Sequence, residues 1–225
     1  MSNIILQHFD GDLRPLDKLS IENIQAYAEM VGAEYRLITG KPFRKHLTSP
    51  CQKVYMIDEE FDKYDDVLML DIDMFAPKGM TENVFEKNGI GLYGDVQKRL
   101  HQRIVSQYPM LASNDKPYWG GAIYKMDLPL RQRLRKQLGG NENWMNNYNQ
   151  PYHYEDEGIF HTLMVFGSIY LADKDKYLDN KWCQCSFLPN PEKAGFIHIR
   201  TKVTPQGPKR EKIENYQALV DQGIL

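Results

Sequence analysis

Two carboxylates, Asp71 and Asp73, stand one residue apart directly after the apolar run at residues 67–70. Side chains two positions apart in an extended chain point to the same side, so both carboxylates are expected to converge on one point. Unpaired carboxylates repel each other at such a point, and a bound divalent cation removes the conflict. Carboxylate oxygens suit Mn²⁺ or Mg²⁺, and a metal held this way binds phosphate oxygens and helps a diphosphate to leave. The pair therefore predicts a divalent-metal site, with Mn²⁺ or Mg²⁺ as the cofactor.

The alternative is an ordinary structural role, in which Asp73 caps a turn and Asp71 pairs with a lysine. The position of the pair decides between the two, because a strand–helix–strand–helix segment precedes it. Ligands of open α/β sheets bind at the carboxyl ends of the strands, which is where Asp71 and Asp73 are predicted to lie. The metal site is therefore the favoured interpretation.

The elements that must position these residues follow from the hydrophobic pattern. Apolar residues recur with the helical period over residues 16–31, and short apolar runs mark the strands. In the first half, strands are predicted at 4–9, 35–38 and 67–70, and helices at 16–31 and 50–61. In the less regular second half, strands are predicted at 90–93, 121–126, 169–171 and 196–199, and helices at 98–107, 128–138, 156–165 and 212–219. The alternation predicts an α/β domain in which strand 67–70, apolar on both faces, is central in a parallel sheet.

Composition narrows the class of protein. The 225 residues, 42% hydrophobic and 26% charged, fit a single globular domain, and a net charge of −2 provides no field for nucleic acid. The basic run at residues 131–136 is interpreted as the solvated face of a helix. No apolar stretch reaches the roughly 20 residues of a transmembrane segment, and three cysteines without a framework spacing favour a reducing compartment. We therefore expect a cytoplasmic protein, in the host cytoplasm if the source is viral.

Residues 64–74, Tyr-Asp-Asp-Val-Leu-Met-Leu-Asp-Ile-Asp-Met, resemble the YD-x-V-x-x-LD-x-D signature of GT-A glycosyltransferases. The resemblance is greatest to family 8, which includes glycogenin and bacterial lipopolysaccharide galactosyltransferases. It implies one GT-A domain over residues 1–225, α/β and Rossmann-like, with a mostly parallel central sheet flanked by helices. Residues 1–95 would be the nucleotide-binding half, and 96–225 the sugar and acceptor half with a C-terminal helix. In this family the two aspartates, here Asp71 and Asp73, hold Mn²⁺ on the donor diphosphate.

The resemblance also assigns substrate-binding residues. Lys53 matches a basic residue that contacts the nucleotide, although a surface lysine is an equal alternative. Residues 119–124, Trp-Gly-Gly-Ala-Ile-Tyr, resemble a strand whose small residues allow close approach of the sugar. Trp119 would stack on a sugar ring, or else be a core residue beside a bulge. The full set predicted to bind substrate is His8, Phe9 and Asp10 of the first loop, Lys53, Asp95, Trp119, Gly120, Gly121 and Lys202.

Two later motifs complete the predicted site. Residues 155–160, Glu-Asp-Glu-Gly-Ile-Phe, look like the family's D-Q-x-x-L-N, which makes Asp156 and Glu157 the catalytic candidates. An inverting enzyme would use such a carboxylate as general base, whereas a retaining one would use it to orient the sugar; favourable placement at a helix start is the structural alternative. His198 matches the family's third metal ligand, with Lys202 or Arg200 reaching the diphosphate, although the Gly of that motif is absent and the Lys is displaced. A core histidine is the alternative for His198.

The resemblance implies a nucleotide-sugar donor, with a UDP-sugar expected, and a glycan, lipid-linked or protein acceptor, in a monomer or weak homo-oligomer. A HAD-type phosphatase also places Asp-x-Asp after an apolar strand. It fits less well, because about 70 residues precede the motif, Met74 stands where Thr or Val is usual, and no late acidic pair is evident. A non-catalytic nucleotide-sugar-binding module is the third alternative.

Overall fold

A computed structural model describes residues 2–93, 119–140, 155–167 and 176–225. Its main sheet has six strands in the order β2-β1-β3-β6-β5-β7, and a small sheet has the order β4-β9-β8. The strands are β1 (Asn3–Phe9), β2 (Glu34–Thr39), β3 (Asp66–Leu70), β4 (Met74–Phe75), β5 (Gly91–Tyr93), β6 (Trp119–Asp127), β7 (Tyr177–Leu178), β8 (Gln184–Cys185) and β9 (Ile197–His198). The α-helices are α1 (Pro15–Met30), α2 (Leu128–Gly140), α3 (Glu155–Phe166) and α4 (Lys212–Asp221). The predicted helix 98–107 and strand 169–171 lie outside the described residues.

The main sheet is mostly parallel, as predicted. Five of its strands run in one direction, and only β6 runs against its neighbours β3 and β5. Strand β3 is central and its residues 67–70 are buried, but it pairs in parallel only with β1. Because β6 is antiparallel to β3, the first residues of β6 lie beside the end of β3, where Asp71 follows.

Side chains alternate between the two faces of the sheet and build a separate core on each. Val67 and Met69 pack into a cluster with α2 and α3, whereas Leu68 and Leu70 pack into a second cluster with α1. Helix α1 begins with Pro15 in its first turn, and Gly32 follows its end at φ 68°. Proline is common at the start of a helix and glycine just after its end. The domain therefore has three layers, with helices on both faces of one sheet.

The small sheet and α4 close one end of the molecule. Phe75 of β4, Ile197 of β9 and Leu219 of α4 form a third core cluster with Leu16 of α1. Among the described residues, no helix is both long and apolar enough to cross a membrane.

Two local predictions were wrong. Residues 50–61 form two 3-10 segments, Pro50–Ile57 and Glu59–Phe61, rather than one helix. Arg131 is not on a solvated face: its side chain is fully buried, and its guanidinium donates to the carbonyls of Phe61, Tyr64, Asp65 and Met126. Four backbone acceptors serve the two terminal nitrogens of a cation that a helical pattern alone places on the surface, while its Nε is buried with no hydrogen-bond partner among the described residues.

Candidate active site

Asp71, Asp73 and His198 form a cluster at the end of β3. Their ligand atoms all lie within 4.8 Å of one another. His198 arrives there because β9 pairs with β4 in a register that sets His198 opposite Met74, the neighbour of Asp73. The Nε2 atom of His198 is 3.1 Å from Asp73 Oδ1 and 4.0 Å from Asp71 Oδ2. Two carboxylates and one imidazole are a donor set that Mn²⁺ accepts, so these residues fit the cation that the sequence predicts.

The turn that carries the aspartates is held from beneath by buried polar side chains. Gln7 of β1 donates to the Asp71 carbonyl at 3.1 Å and to Ser20 Oγ at 3.0 Å. The Ser20 hydroxyl donates to the Met74 carbonyl, and the Tyr35 hydroxyl donates to Gln7 Oε1. The backbone at residues 71–74 is thus fixed by β1, β2 and α1 before any ligand binds, which is the support that precise ligand geometry needs.

Lys53 connects the cluster of Asp71, Asp73 and His198 to Gly121 and Asp156. Its ammonium is 2.7 Å from Asp71 Oδ1, 2.8 Å from Asp156 Oδ2 and 2.6 Å from the carbonyl oxygen of Gly121. Burial alone would lower the pKa of Lys53, but the charges of Asp156 and Asp71 more than offset it and raise that pKa. The lysine pairing considered as the alternative for Asp71 is therefore present, and it coexists with the three-residue cluster.

A bulge in β6 supplies the Gly121 backbone to the site. Gly91 pairs with Tyr124 while Leu92 pairs with Gly120, so β6 carries extra residues between those two pairs. Gly121 uses both of its backbone groups outside that pairing: its carbonyl accepts from Lys53, and its N–H donates to Glu157 Oε1 at 2.5 Å. A Cβ at this position would lie 2.8 Å from that same Glu157 oxygen, so any other residue here would force the Glu157 carboxylate to shift.

Asp156 and Glu157, in the first turn of α3, are both buried against Gly121. Burial raises the pKa of Asp156, and Lys53 opposes that effect. Burial, followed by the charge of Asp156, raises the pKa of Glu157 well above its ordinary value. Glu157 Oε2 is buried with no hydrogen-bond partner among the described residues, an environment that disfavours the ionised carboxylate.

Lys212, the first residue of α4, pairs with Asp73 Oδ2. Burial would raise the pKa of Asp73, but His198 and Lys212 reverse that effect and lower it. Each aspartate of the cluster thus has its own lysine, Lys53 for Asp71 and Lys212 for Asp73.

The three-residue cluster lines one cavity of about 920 Å³ together with Lys53, Gly121, Asp156, Glu157 and Lys212. Its walls carry four carboxylates and six cationic side chains, and the cations are Arg14, Lys53, Arg200, Lys202, Lys209 and Lys212. A cavity with more cationic than anionic side chains is suited to a polyanion such as a diphosphate.

Most of the predicted substrate-binding residues meet in this cavity. The cavity is lined by His8, Phe9, Lys53, Gly121 and Lys202, together with the catalytic candidates and the three candidate metal ligands. The His8 ring contacts the Gly40 carbonyl at 2.7 Å, and burial lowers the pKa of His8.

Other predicted residues stand apart from it. Asp10 is exposed and is not among the lining residues, and Asp95 lies outside the described residues. Trp119 and Gly120 are placed in β6 by their backbone, paired with Tyr93 and Leu92, and the stacking role of Trp119 stays a prediction.

Sequence reasoning missed Arg14, Lys209, Lys212 and Cys183. The first three are ordinary surface residues in sequence, although five cations between residues 200 and 212 were a signal for a basic segment. Cys183 Sγ lies 3.9 Å from Nδ1 of His198, a contact that depends on the pairing of β8 with β9 and that no motif indicates.

The fold has counterparts among solved structures. A glycosyltransferase involved in the glycosylation of the major capsid of PBCV-1 matches with a TM-score of 0.54 at 12% identity, over 98% of this chain and 100% of its own. The galactosyltransferase LgtC, solved with donor and acceptor sugar analogs, matches with a TM-score of 0.54 at 12% identity, over 97% of this chain and 95% of its own. No protein-family model and no curated protein matches the sequence. The chain therefore has the GT-A fold that its sequence predicts.

Proposed function

We propose that this protein is a metal-dependent glycosyltransferase, which moves a sugar from a nucleoside-diphosphate-sugar, with a UDP-sugar expected, to a hydroxyl acceptor. One observation carries the proposal: Asp71, Asp73 and His198 converge within 4.8 Å of one another at the wall of a cation-rich cavity in a GT-A fold. A nucleoside diphosphate needs both features, a divalent cation on its oxygens and further positive charge around it.

The residues divide by position in the cavity. Asp71, Asp73 and His198 would hold Mn²⁺ or Mg²⁺, which when bound supplies Lewis-acid stabilisation of the diphosphate leaving group. Arg200, Lys202 and Lys209 provide further charge for the diphosphate, while His8 and Phe9 line the part assigned to the nucleoside.

The sugar is assigned to the wall built by Lys53, Gly121, Asp156 and Glu157. Asp156 shares the ammonium of Lys53 with Asp71, so it is coupled to the metal cluster through one buried cation. Asp156 and Glu157 are proposed to orient the sugar, because both are held by other groups of the site rather than exposed as free bases.

The first test is thermal stabilisation, since a ligand that binds only the folded state raises its melting temperature. The wild-type protein is expected to be stabilised by Mn²⁺ together with one of the UDP-, GDP- or dTDP-sugars. Asp73→Ala should abolish that stabilisation, whereas Glu22→Ala, which removes an exposed carboxylate on α1, should retain it.

Release of the nucleoside diphosphate on addition of a panel of glycan, lipid-linked and peptide acceptors then tests transfer. A nucleotide sugar that binds without any release would support the binding-module alternative. Stabilisation by no sugar nucleotide, combined with phosphate release from simple phosphomonoesters, would support the phosphatase and contradict the proposal.

A further inference from the structure

Lys53 and Lys212 hold the two aspartates in different ways. Lys53 has three partners, Asp71, Asp156 and the Gly121 carbonyl, and only 9% of its side chain is exposed. The side chain of Lys212 is 30% exposed, and within the described part of the chain its ammonium pairs with Asp73. Lys53 is therefore a fixed part of the wall, whereas Lys212 is a flexible side chain attached at one carboxylate.

The backbone beneath Lys212 is firmly placed. Glu211 and Glu214 form a capping box at the start of α4, and Leu219 and Tyr216 anchor the helix on the third core cluster. Movement of the Lys212 ammonium therefore requires only rotation of its own four-carbon chain and no displacement of the helix.

Lys212 pairs with Asp73 Oδ2, whereas His198 Nε2 lies 3.1 Å from the other oxygen, Oδ1, so a cation held with His198 would share the Asp73 carboxylate with Lys212. A cation held by Asp71, Asp73 and His198 must use an Asp73 oxygen, and an ammonium left on the same carboxylate would face a like charge at close range. Lys53, which holds Asp71 and Asp156 together, has no comparable freedom to leave.

A second anionic partner for Lys212 would come from the ligand. The segment after β9 folds back as a hairpin. The backbones of Lys202 and Lys209 form an antiparallel bridge in it, and the Arg210 N–H donates to the Thr201 carbonyl. Arg200, Lys202, Lys209 and Lys212 all line the same cavity as the metal cluster. A diphosphate on the metal would lie within this group of cations.

We propose that Lys212 is an exchangeable counter-ion of the metal site: it occupies Asp73 when the metal is absent and transfers to the diphosphate of the donor when metal and nucleotide bind together. This role rests on the proposed function. It makes the binding of metal and that of nucleotide mutually reinforcing, because the metal releases the cation that the nucleotide then receives.

Lys212→Gln should change the two affinities in opposite directions. Free Mn²⁺ measured by electron paramagnetic resonance should show at least about five-fold tighter binding of Mn²⁺ alone, because the competing ammonium is gone. Calorimetry at saturating Mn²⁺ should show UDP binding at least about five-fold weaker, because a cation for the diphosphate is gone.

Lys209→Gln is the matched control, since it removes an exposed cation from the same cavity that is not paired with Asp73. It should weaken UDP binding and leave the affinity for Mn²⁺ alone at the wild-type value. Lys212→Arg keeps the charge and should behave as wild type toward Mn²⁺ alone. Unchanged or weaker Mn²⁺ binding by Lys212→Gln would overturn the proposal.

Wild-type protein provides a second measurement that needs no variant. Acetylation of Lys212, followed by mass spectrometry, should increase when Mn²⁺ is added and decrease when UDP is added with Mn²⁺, while the exposed Lys18 is labelled equally throughout. Labelling of Lys212 that ignores Mn²⁺ would overturn the exchange.

The two proposals fail in different ways. If Mn²⁺ changes Lys212 labelling but no nucleotide binds, the glycosyltransferase proposal fails, and with it the transfer to the diphosphate. If nucleotide and Mn²⁺ bind but Lys212→Gln leaves the affinity for Mn²⁺ unchanged, only the role of Lys212 fails. A wild-type protein that binds no Mn²⁺ would overturn both.

Discussion

The raised pKa of Glu157 depends on its buried surroundings, which its sequence motif does not indicate. Its Oε1 accepts from the Gly121 N–H, while its Oε2 is buried with no partner in the described part of the chain. Burial and the nearby Asp156 raise the pKa of Glu157 well above 4.5, so the folded state favours the protonated carboxyl. That preference links stability to pH.

Glu157→Gln should be increasingly stabilising, relative to wild type, as pH rises. Because the pKa of Glu157 is raised in the folded state, its contribution is fully present below its ordinary pKa of 4.5 and is lost as pH rises toward the folded pKa. Each unit of pH within that window costs the wild type about 1.4 kcal/mol. Glutamine keeps an oxygen for the Gly121 N–H and carries no charge. Melting temperatures measured between pH 5 and 8 should diverge, with the exposed Glu22→Gln as control; parallel profiles would contradict the assignment.

At the scale of elements, α2 is tied to the sheet by a buried cation. Arg131 donates to the carbonyl that ends the 3-10 segment at Phe61, to those of Tyr64 and Asp65 just before β3, and to that of Met126 within β6. Its neighbour Arg135 pairs with Asp62 on the same side of the helix, whereas Arg133 is exposed. One basic run therefore contains both structural and solvated side chains.

Arg131→Met should destabilise the protein by roughly 2–5 kcal/mol, because it leaves buried carbonyls without donors. The melting temperature of a chain of this size should fall by about 2–4 °C for each kcal/mol. Arg133→Met, in the same helix and exposed, should have little effect. Equal melting temperatures for the two variants would show that the Arg131 hydrogen bonds do not stabilise the fold.

The sequence predicted features set by neighbouring residues better than contacts between residues far apart in the chain. Asp71 and Asp73 converge as the sequence predicts, but they do so through a turn in which the Met74 N–H donates to the Asp71 carbonyl, and not through the extended chain from which the prediction was argued. The local patterns locate β1, β3, α1 and α4 within a few residues. The approach of His198 could be anticipated only from a family resemblance, because it depends on the pairing of β4 with β9. Three of the four acceptors of Arg131 and the Asp73 partner of Lys212 are set by tertiary packing across more than 60 and 130 residues respectively, which periodicity does not encode.

At the scale of the whole molecule, the site belongs to both halves of the chain. Asp71, Asp73 and Lys53 come from the first 95 residues, while Gly121, Asp156 and His198 come from the rest. The three core clusters likewise mix elements from both halves. Such an arrangement favours one cooperative unit, which is the single domain that the sequence predicts.

Leu219→Ala tests whether the chain unfolds as one cooperative unit. Leu219 is 4% exposed in the third cluster, and its truncation should cost about 2–5 kcal/mol. In a single domain, far-ultraviolet circular dichroism and tryptophan fluorescence should report the same lowered melting temperature. The exposed Gln217→Ala on the same helix should melt as wild type does. Two separate transitions in Leu219→Ala would contradict a single domain.

The bulge in β6 has a consequence for how this site can be redesigned. Lys53 and Glu157 both bind the Gly121 backbone, and a side chain at 121 would contact the carboxylates of Glu157 and Asp156. Changes at these four positions are therefore not independent, and their effects are expected to be strongly non-additive. A combinatorial library should vary 53, 121, 156 and 157 as one block, while the first-loop positions can be sampled one at a time.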